Sequence, residues 1–214
     1  MDVVLAQMRD ATLAWCWAVP ELSEREKVFL TLTADVCNAT LGTPYEEHVA
    51  DAAKRGVCAA DIRALLRLLA FDTGYPAAEA AMARLAQIGG PGEAAPLAEE
   101  LVRPGESPLP EWVRAPLREL DPWFHDYLLL QSRMNSPQGE GTLSVRERAF
   151  VAMSVDVHYQ TLGDTFGIHV RRALGGGAGP ADVRAALRFL SQFGLTRAWQ
   201  AWRALNPLLD SLVG

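Results

Sequence analysis

The stretch "LSEREKVFLTLTADVCNATLGTPYEEHVADA", residues 22–52, decides how this chain is read, because it occurs twice. Moved on by 121 positions it meets "LSVRERAFVAMSVDVHYQTLGDTFGIHVRRA", residues 143–173, without a gap. The match continues from "ADIRALLRLL" at 60 to "ADVRAALRFL" at 181, and 21 of the 49 positions from 22 to 70 are identical. The expectation is one helical unit used twice: a first repeat over 1–90, a second over 122–214, and a Pro- and Gly-rich connector at 91–121.

The period inside each copy is helical. Ile62, Leu65, Leu66 and Leu69 recur at i, i+3, i+4 and i+7, and Val183, Ala186, Leu187 and Leu190 repeat the pattern. Ser23 with Glu26, and Ser144 with Glu147, have the spacing of a capping box at a helix start. Gly42 and Gly163 suit the left-handed position that ends a helix. Strand signals are nearly absent, so the fold class is all-α with eleven or twelve helices. The segment "PLRELDPWFHDYLLLQSRM" should be helical and lead into the second repeat, as "VVLAQMRDATLAWCWAVP" leads into the first.

Composition excludes several function classes. Half of the 214 residues are hydrophobic, enough for a real core. The formal net charge is −6 and the 20 basic residues are scattered, which argues against nucleic acid as a partner. No apolar run approaches the ~20 residues of a membrane span. The N-terminus lacks the basic and apolar regions of a signal peptide. Three cysteines without a CxxC fit a reduced, cytoplasmic protein.

A helix opening on Leu22-Ser23 with Arg25-Glu26, a turn, His48 with Ala52 and Gly56 behind it, and Gly74-Tyr75-Pro76 closing the next helix together resemble the carboxymuconolactone decarboxylase family, which includes the alkylhydroperoxidase-D-like proteins. Leu143-Ser144, Arg146-Glu147, His169, Ala173 and Gly177 carry the same resemblance, although the second copy lacks the final proline. The resemblance implies helical subunits in rings, so a homo-oligomer, a trimer or another ring, is expected. It also implies a site near the histidine, in a cleft between helices. Thiol members of the family place two cysteines where this chain has Leu41 and Pro44, or Leu162 and Thr165. Thiol peroxidase chemistry is therefore not expected. The acid those members carry on the first helix is replaced by Val28 and Ala149.

The candidate catalytic residues are His48, His169, Asp35 and Asp156. On an ideal helix Val28, Leu32 and Asp35 share one edge of the apolar face, which brings the carboxylate toward the histidine-bearing turn. There Asp could hold the imidazole in one tautomer for general acid–base work. The structural alternative is an Asp that pairs with Arg or caps a helix, and a histidine satisfied within the core. Tyr45, Tyr75, His158 and Tyr159 are candidates for substrate contact. No HxH or HxxxH spacing occurs, so no metal is assigned; Cys37 reads as a small buried hydrophobe. Glu46 and Glu47 suit a helix N-terminus, and Arg25 and Arg146 suit structural pairs. The six tryptophans should lie mostly in cores or interfaces.

The function expected is a cofactor-independent decarboxylase, isomerase or cyclase, a lyase or isomerase acting on a small carboxylated or enolisable substrate. The alternative is a catalytically retired member that assembles or binds a small molecule.

Overall fold

The computed structural model describes residues 2–89, 102–103, 106, 109–135 and 143–213. The chain divides into two compact units, residues 1–90 with 143–214 and residues 91–142. Among the described residues there are eleven α-helices, one 3-10 turn and no strand. The protein is all-α, as its periodicity predicts. Of the expected connector, residues 91–101, 104–105 and 107–108 lie outside the described residues.

The larger unit holds α1 (Val3–Trp17), α2 (Glu24–Cys37), α3 (Thr43–Lys54), α4 (Ala59–Thr73), α5 (Tyr75–Gly89), α8 (Val145–Tyr159), α9 (Asp164–Gly175), α10 (Pro180–Leu190) and α11 (Leu195–Val213). The smaller unit holds α6 (Glu111–Leu120) and α7 (Pro122–Met134). In α7 Asp121 caps the start by accepting from Phe124 N at 2.9 Å.

Helices α2 and α8 organise the larger unit. Each opens on the capping box read from the sequence. The Glu26 amide donates to Ser23 Oγ at 3.1 Å while the Ser23 amide donates to Glu26 Oε2 at 2.8 Å; the Glu147–Ser144 distances are 3.1 and 2.7 Å. Residues 26–36 of α2 and 149–158 of α8 are buried on every side, as in a helix with no solvent face. At their N-terminal ends Arg25 Nε lies 2.7 Å from Glu147 Oε1, and Arg146 Nε lies 2.6 Å from Glu26 Oε1. Arg25 also reaches Asp61 at the start of α4, and Arg146 reaches Asp182 at the start of α10, at 2.9 and 2.7 Å. At the far ends Arg197 Nη1 joins Asn38 Oδ1, just past α2, to His158 Nδ1 of α8, at 3.0 and 3.2 Å. The two helices therefore run side by side in the same direction.

Two apolar cores flank this pair, and each draws on both halves of the sequence. One gathers Phe29, Leu32, Tyr45, Ile62, Leu65 and Leu69 with Leu143, Val151 and Val155. The other gathers Phe150, Met153, Phe166, Leu187 and Phe189 with Leu22 and Leu30. Helix α1 closes the second: Trp17 meets Phe189 edge-on at 5.3 Å, and Lys27 Nζ donates to Trp17 O at 2.8 Å.

One expectation needs correction. Gly42 and Gly163 do not end α2 and α8; they stand at the N-caps of α3 and α9 with φ of −84° and −87°. The left-handed residues are Ala39 (φ 55°) and Gln160 (φ 59°). Of the six tryptophans, Trp15, Trp112, Trp123 and Trp199 lie outside the two cores and are each more than half exposed in the single chain.

Candidate functional site

The last turn of α2 carries Asp35, and α3 carries His48. Between them the chain makes a Schellman turn: the Thr40 amide donates to Asp35 O at 2.9 Å and the Ala39 amide to Val36 O at 3.2 Å. The turn puts the Thr40 hydroxyl against the Asp35 carboxylate, donating to Oδ1 at 2.9 Å. The other oxygen, Oδ2, lies 2.7 Å from His48 Nδ1. The second copy repeats the arrangement. Thr161 N reaches Asp156 O at 3.0 Å, Thr161 Oγ1 donates to Asp156 Oδ1 at 2.6 Å, and His169 Nδ1 lies 2.6 Å from Asp156 Oδ2.

An ionised carboxylate only accepts, so Nδ1 of each ring carries the proton and the lone pair of the neutral ring sits on Nε2. Asp35 and Asp156 are almost fully buried, while the imidazoles differ in access: the His48 side chain is 36% exposed and that of His169 13%. Burial opposes charge on His48. The Asp35 hydrogen bond and charge outweigh it, with Glu47 and Asp51 adding, and hold His48 above its ordinary value. Thr40 and Thr161 were not singled out from sequence, although "TL-G" is identical in both copies and signalled them.

The residues expected to contact substrate are scattered. Tyr45 is fully buried in the first core, and its hydroxyl donates to Ala81 O at 3.4 Å. That position offers no face to a ligand, because a large ring at the start of an amphipathic helix packs inward. His158 is also buried. Arg197 Nη1 lies 3.2 Å from its Nδ1, and since guanidinium only donates, Nδ1 accepts and the ring is neutral. Burial, and then the Arg197 charge, push His158 down to about 4. Tyr75 and Tyr159 are exposed, at 46% and 43%. Cys37 is half-buried, and burial pushes its thiol up to about 12, so it stays protonated. Arg25 and Arg146 are engaged by carboxylates of the chain, and Glu46 pairs with Arg84. Among the described residues no three His, Cys, Asp or Glu side chains gather as a metal-binding set, and no helix is long and apolar enough to cross a membrane.

Residues 4–87 match the model of the carboxymuconolactone decarboxylase family. The resemblance carried by Leu22-Ser23, Arg25-Glu26 and His48 holds over that segment. The fold is shared with a solved structure described as a "putative gamma-carboxymuconolactone decarboxylase subunit" from Burkholderia xenovorans LB400. The two chains are 23% identical with a TM-score of 0.51, over 95% of this chain and 85% of that one. No curated protein matches.

Proposed function

We propose that this protein is a cofactor-independent decarboxylase or isomerase acting on a small carboxylated or enolisable substrate through imidazole acid–base chemistry. The observation that carries the reading is the arrangement built twice, in which a buried carboxylate, itself held by a threonine, fixes the Nδ1–H of a histidine. The free Nε2 can take a proton from carbon beside a carbonyl, and the imidazolium can return one to an enolate. In a decarboxylation the bond to CO2 breaks, its electron pair moves into a conjugated carbonyl, and the imidazolium supplies the proton that replaces CO2.

The family match supports this class of reaction. The neighbour's description makes gamma-carboxymuconolactone the first compound to assay, and its word "subunit" supports an oligomer of copies. Tyr75 and Tyr159, both exposed, are the candidates for aromatic contact with a ligand.

The test is CO2 release and C–H exchange with gamma-carboxymuconolactone and a panel of unsaturated lactone and β-keto acids. Replacing the working histidine by Gln should lower kcat about 10²–10⁴-fold. Full turnover in both His48→Gln and His169→Gln variants, or no turnover of any compound by the wild type, would overturn the proposal.

A further inference from the structure

The turn that holds His48 is tied to the other half of the molecule by a guanidinium. Asn38 stands in that turn, between Asp35 and the left-handed Ala39. Its backbone amide and its side-chain Nδ2 both donate to Ala34 O, at 2.9 and 2.8 Å, so the side chain folds back on the last turn of α2. Its side-chain oxygen then accepts from Arg197 Nη1 at 3.0 Å. Arg197 lies in the first turn of α11, 159 residues further on.

The guanidinium is itself held. Nη1 also meets His158 Nδ1 and, at 3.4 Å, His158 O, while Nη2 donates to Phe193 O at 3.0 Å. A Cβ on Gly194 would stand 2.9 Å from Nε, so the group packs against the bare backbone there. All of these partners are neutral. Arg197 therefore differs from Arg25 and Arg146, which answer carboxylates, and acts as a planar fork of donors at the ends of α2 and α8.

The turn after α8 has no such guanidinium. Tyr159 replaces Asn38 there, and Gln160 follows as the left-handed residue. Gln160 Nε2 reaches Arg197 O at 3.3 Å, but that contact stays within the second half. Counted from Gly74 as Arg197 is from Gly194, the first half has Ala77, and 121 positions before Arg197 it has Pro76. Neither side chain can donate. Of the two imidazoles, His48 is also the more accessible.

We propose that the first copy is the working site and that Arg197, contributed by the second half, is its positioning residue, which fixes Asn38 and so holds the Asp35–Thr40 turn and His48 in the reactive geometry. This rests on the acid–base reading of the histidines and says which of them works. The chain of contacts is short. Arg197 fixes Asn38, Asn38 closes the last turn of α2 beside Asp35, and the Asp35 carboxylate orients His48 Nδ1. A misplacement of about 1 Å in such a group can cost ~10²-fold in rate, so the brace is felt in kcat rather than in binding.

The experiment uses the full chain and reads the His48 and His169 rings by NMR across pH, each signal assigned by its loss in His48→Gln or His169→Gln. The charged groups around His48 are Asp35 of α2 and Glu47 and Asp51 of its own helix. Arg197→Lys keeps the charge, but an ammonium cannot reach Asn38, His158 and Phe193 at once. Its His48 midpoint should fall by about half a pH unit or more as the Asp35 contact loosens, while that of His169 stays. Arg197→Met should lower the His48 midpoint too, whereas removal of a merely neighbouring positive charge would raise it. Asn38→Ala cuts the brace from its other end and should repeat the fall; Asn38→Asp still accepts from Arg197 and should not. A purely structural Arg197 would lower the melting temperature and leave the His48 midpoint in place, and that result overturns the proposal. With gamma-carboxymuconolactone, or whichever acid of the panel is turned over, Arg197→Lys should lose kcat at least about tenfold with KM little changed, and His48→Gln should lose more than His169→Gln. If His169→Gln is the more damaged, this proposal falls alone; if neither histidine variant is impaired, the general reading falls with it.

Discussion

At the residue scale, Asp72 and His48 both bind protons more tightly in the fold than in the unfolded chain, for opposite reasons. Burial dominates at Asp72, whereas at His48 the hydrogen bond and charge of Asp35 prevail over burial. The linkage has a definite sign. Asp72 ionises from 3.8 when unfolded and from about 6 when folded. Between those values the folded state holds the extra proton, so its contribution to stability falls as pH rises through the window. Above it the penalty is fully present. Asp72→Asn should therefore be more stable than the wild type at pH 8, by on the order of 1–2 kcal/mol after solvent screening, and equal to it below pH 4. Urea midpoints of the two proteins across pH check this, and a gap that does not depend on pH would contradict the burial argument. His48 acts in the same direction: its stabilisation is present below 6.5 and is lost as pH rises through its raised folded value. The Asp35–His48 contact could be read from sequence because both partners recur in the second copy. The raised value of Asp72 could not, since Phe193 stands at the matching position of the second copy and nothing there draws attention to it.

At the scale of elements, the turn after α2 does the positioning. Six residues, Asp35 to Thr40, place carboxylate, backbone and hydroxyl in one closed motif, and α3 then brings His48 back over it. The fifth residue of that motif must be left-handed, and here it is Ala39 in one copy and Gln160 in the other. A Cβ in this conformation costs about 1 kcal/mol, which glycine avoids. Ala39→Gly should raise stability by about 0.5 kcal/mol net, since the more flexible unfolded chain offsets part of the gain. Gln160→Gly should gain less, because Gln160 Nε2 also donates to Val157 O at 2.6 Å. Thermal unfolding of the two variants would show the order; destabilisation by Ala39→Gly would mean the turn is not strained. Sequence placed this motif wrongly for a physical reason. Glycine is the usual left-handed residue, so Gly42 and Gly163 attracted the assignment. The tight bond from Thr40 N to Asp35 O instead fixes the left-handed residue one position earlier than the threonine.

At the scale of the whole molecule, the two halves of the larger unit each pack within themselves and are also joined by contacts that each makes with the other. Arg25 reaches Glu147 and Arg146 reaches Glu26, two equivalent crossings at the heads of α2 and α8. Leu22 and Leu30 serve the core of the second half, and Leu143, Val151 and Val155 serve that of the first. The amphipathic patterns in the sequence announced helices but could not say that α2 and α8 would be buried on all sides, because a partner helix is invisible to a local periodicity. Residues 1–90 alone would therefore expose Leu30 to water and leave the Glu26 carboxylate without its arginine partner. If the two halves are one unit duplicated, a second copy can fill the vacancy, with Arg25 of each copy meeting Glu26 of the other. The fragment 1–90 should then be a helical dimer by sedimentation and circular dichroism. Arg25→Ala should abolish association and helicity together, since both crossings are lost at once. A stably helical monomer of 1–90 would show instead that the first core is self-sufficient and that the crossings only dock two finished halves.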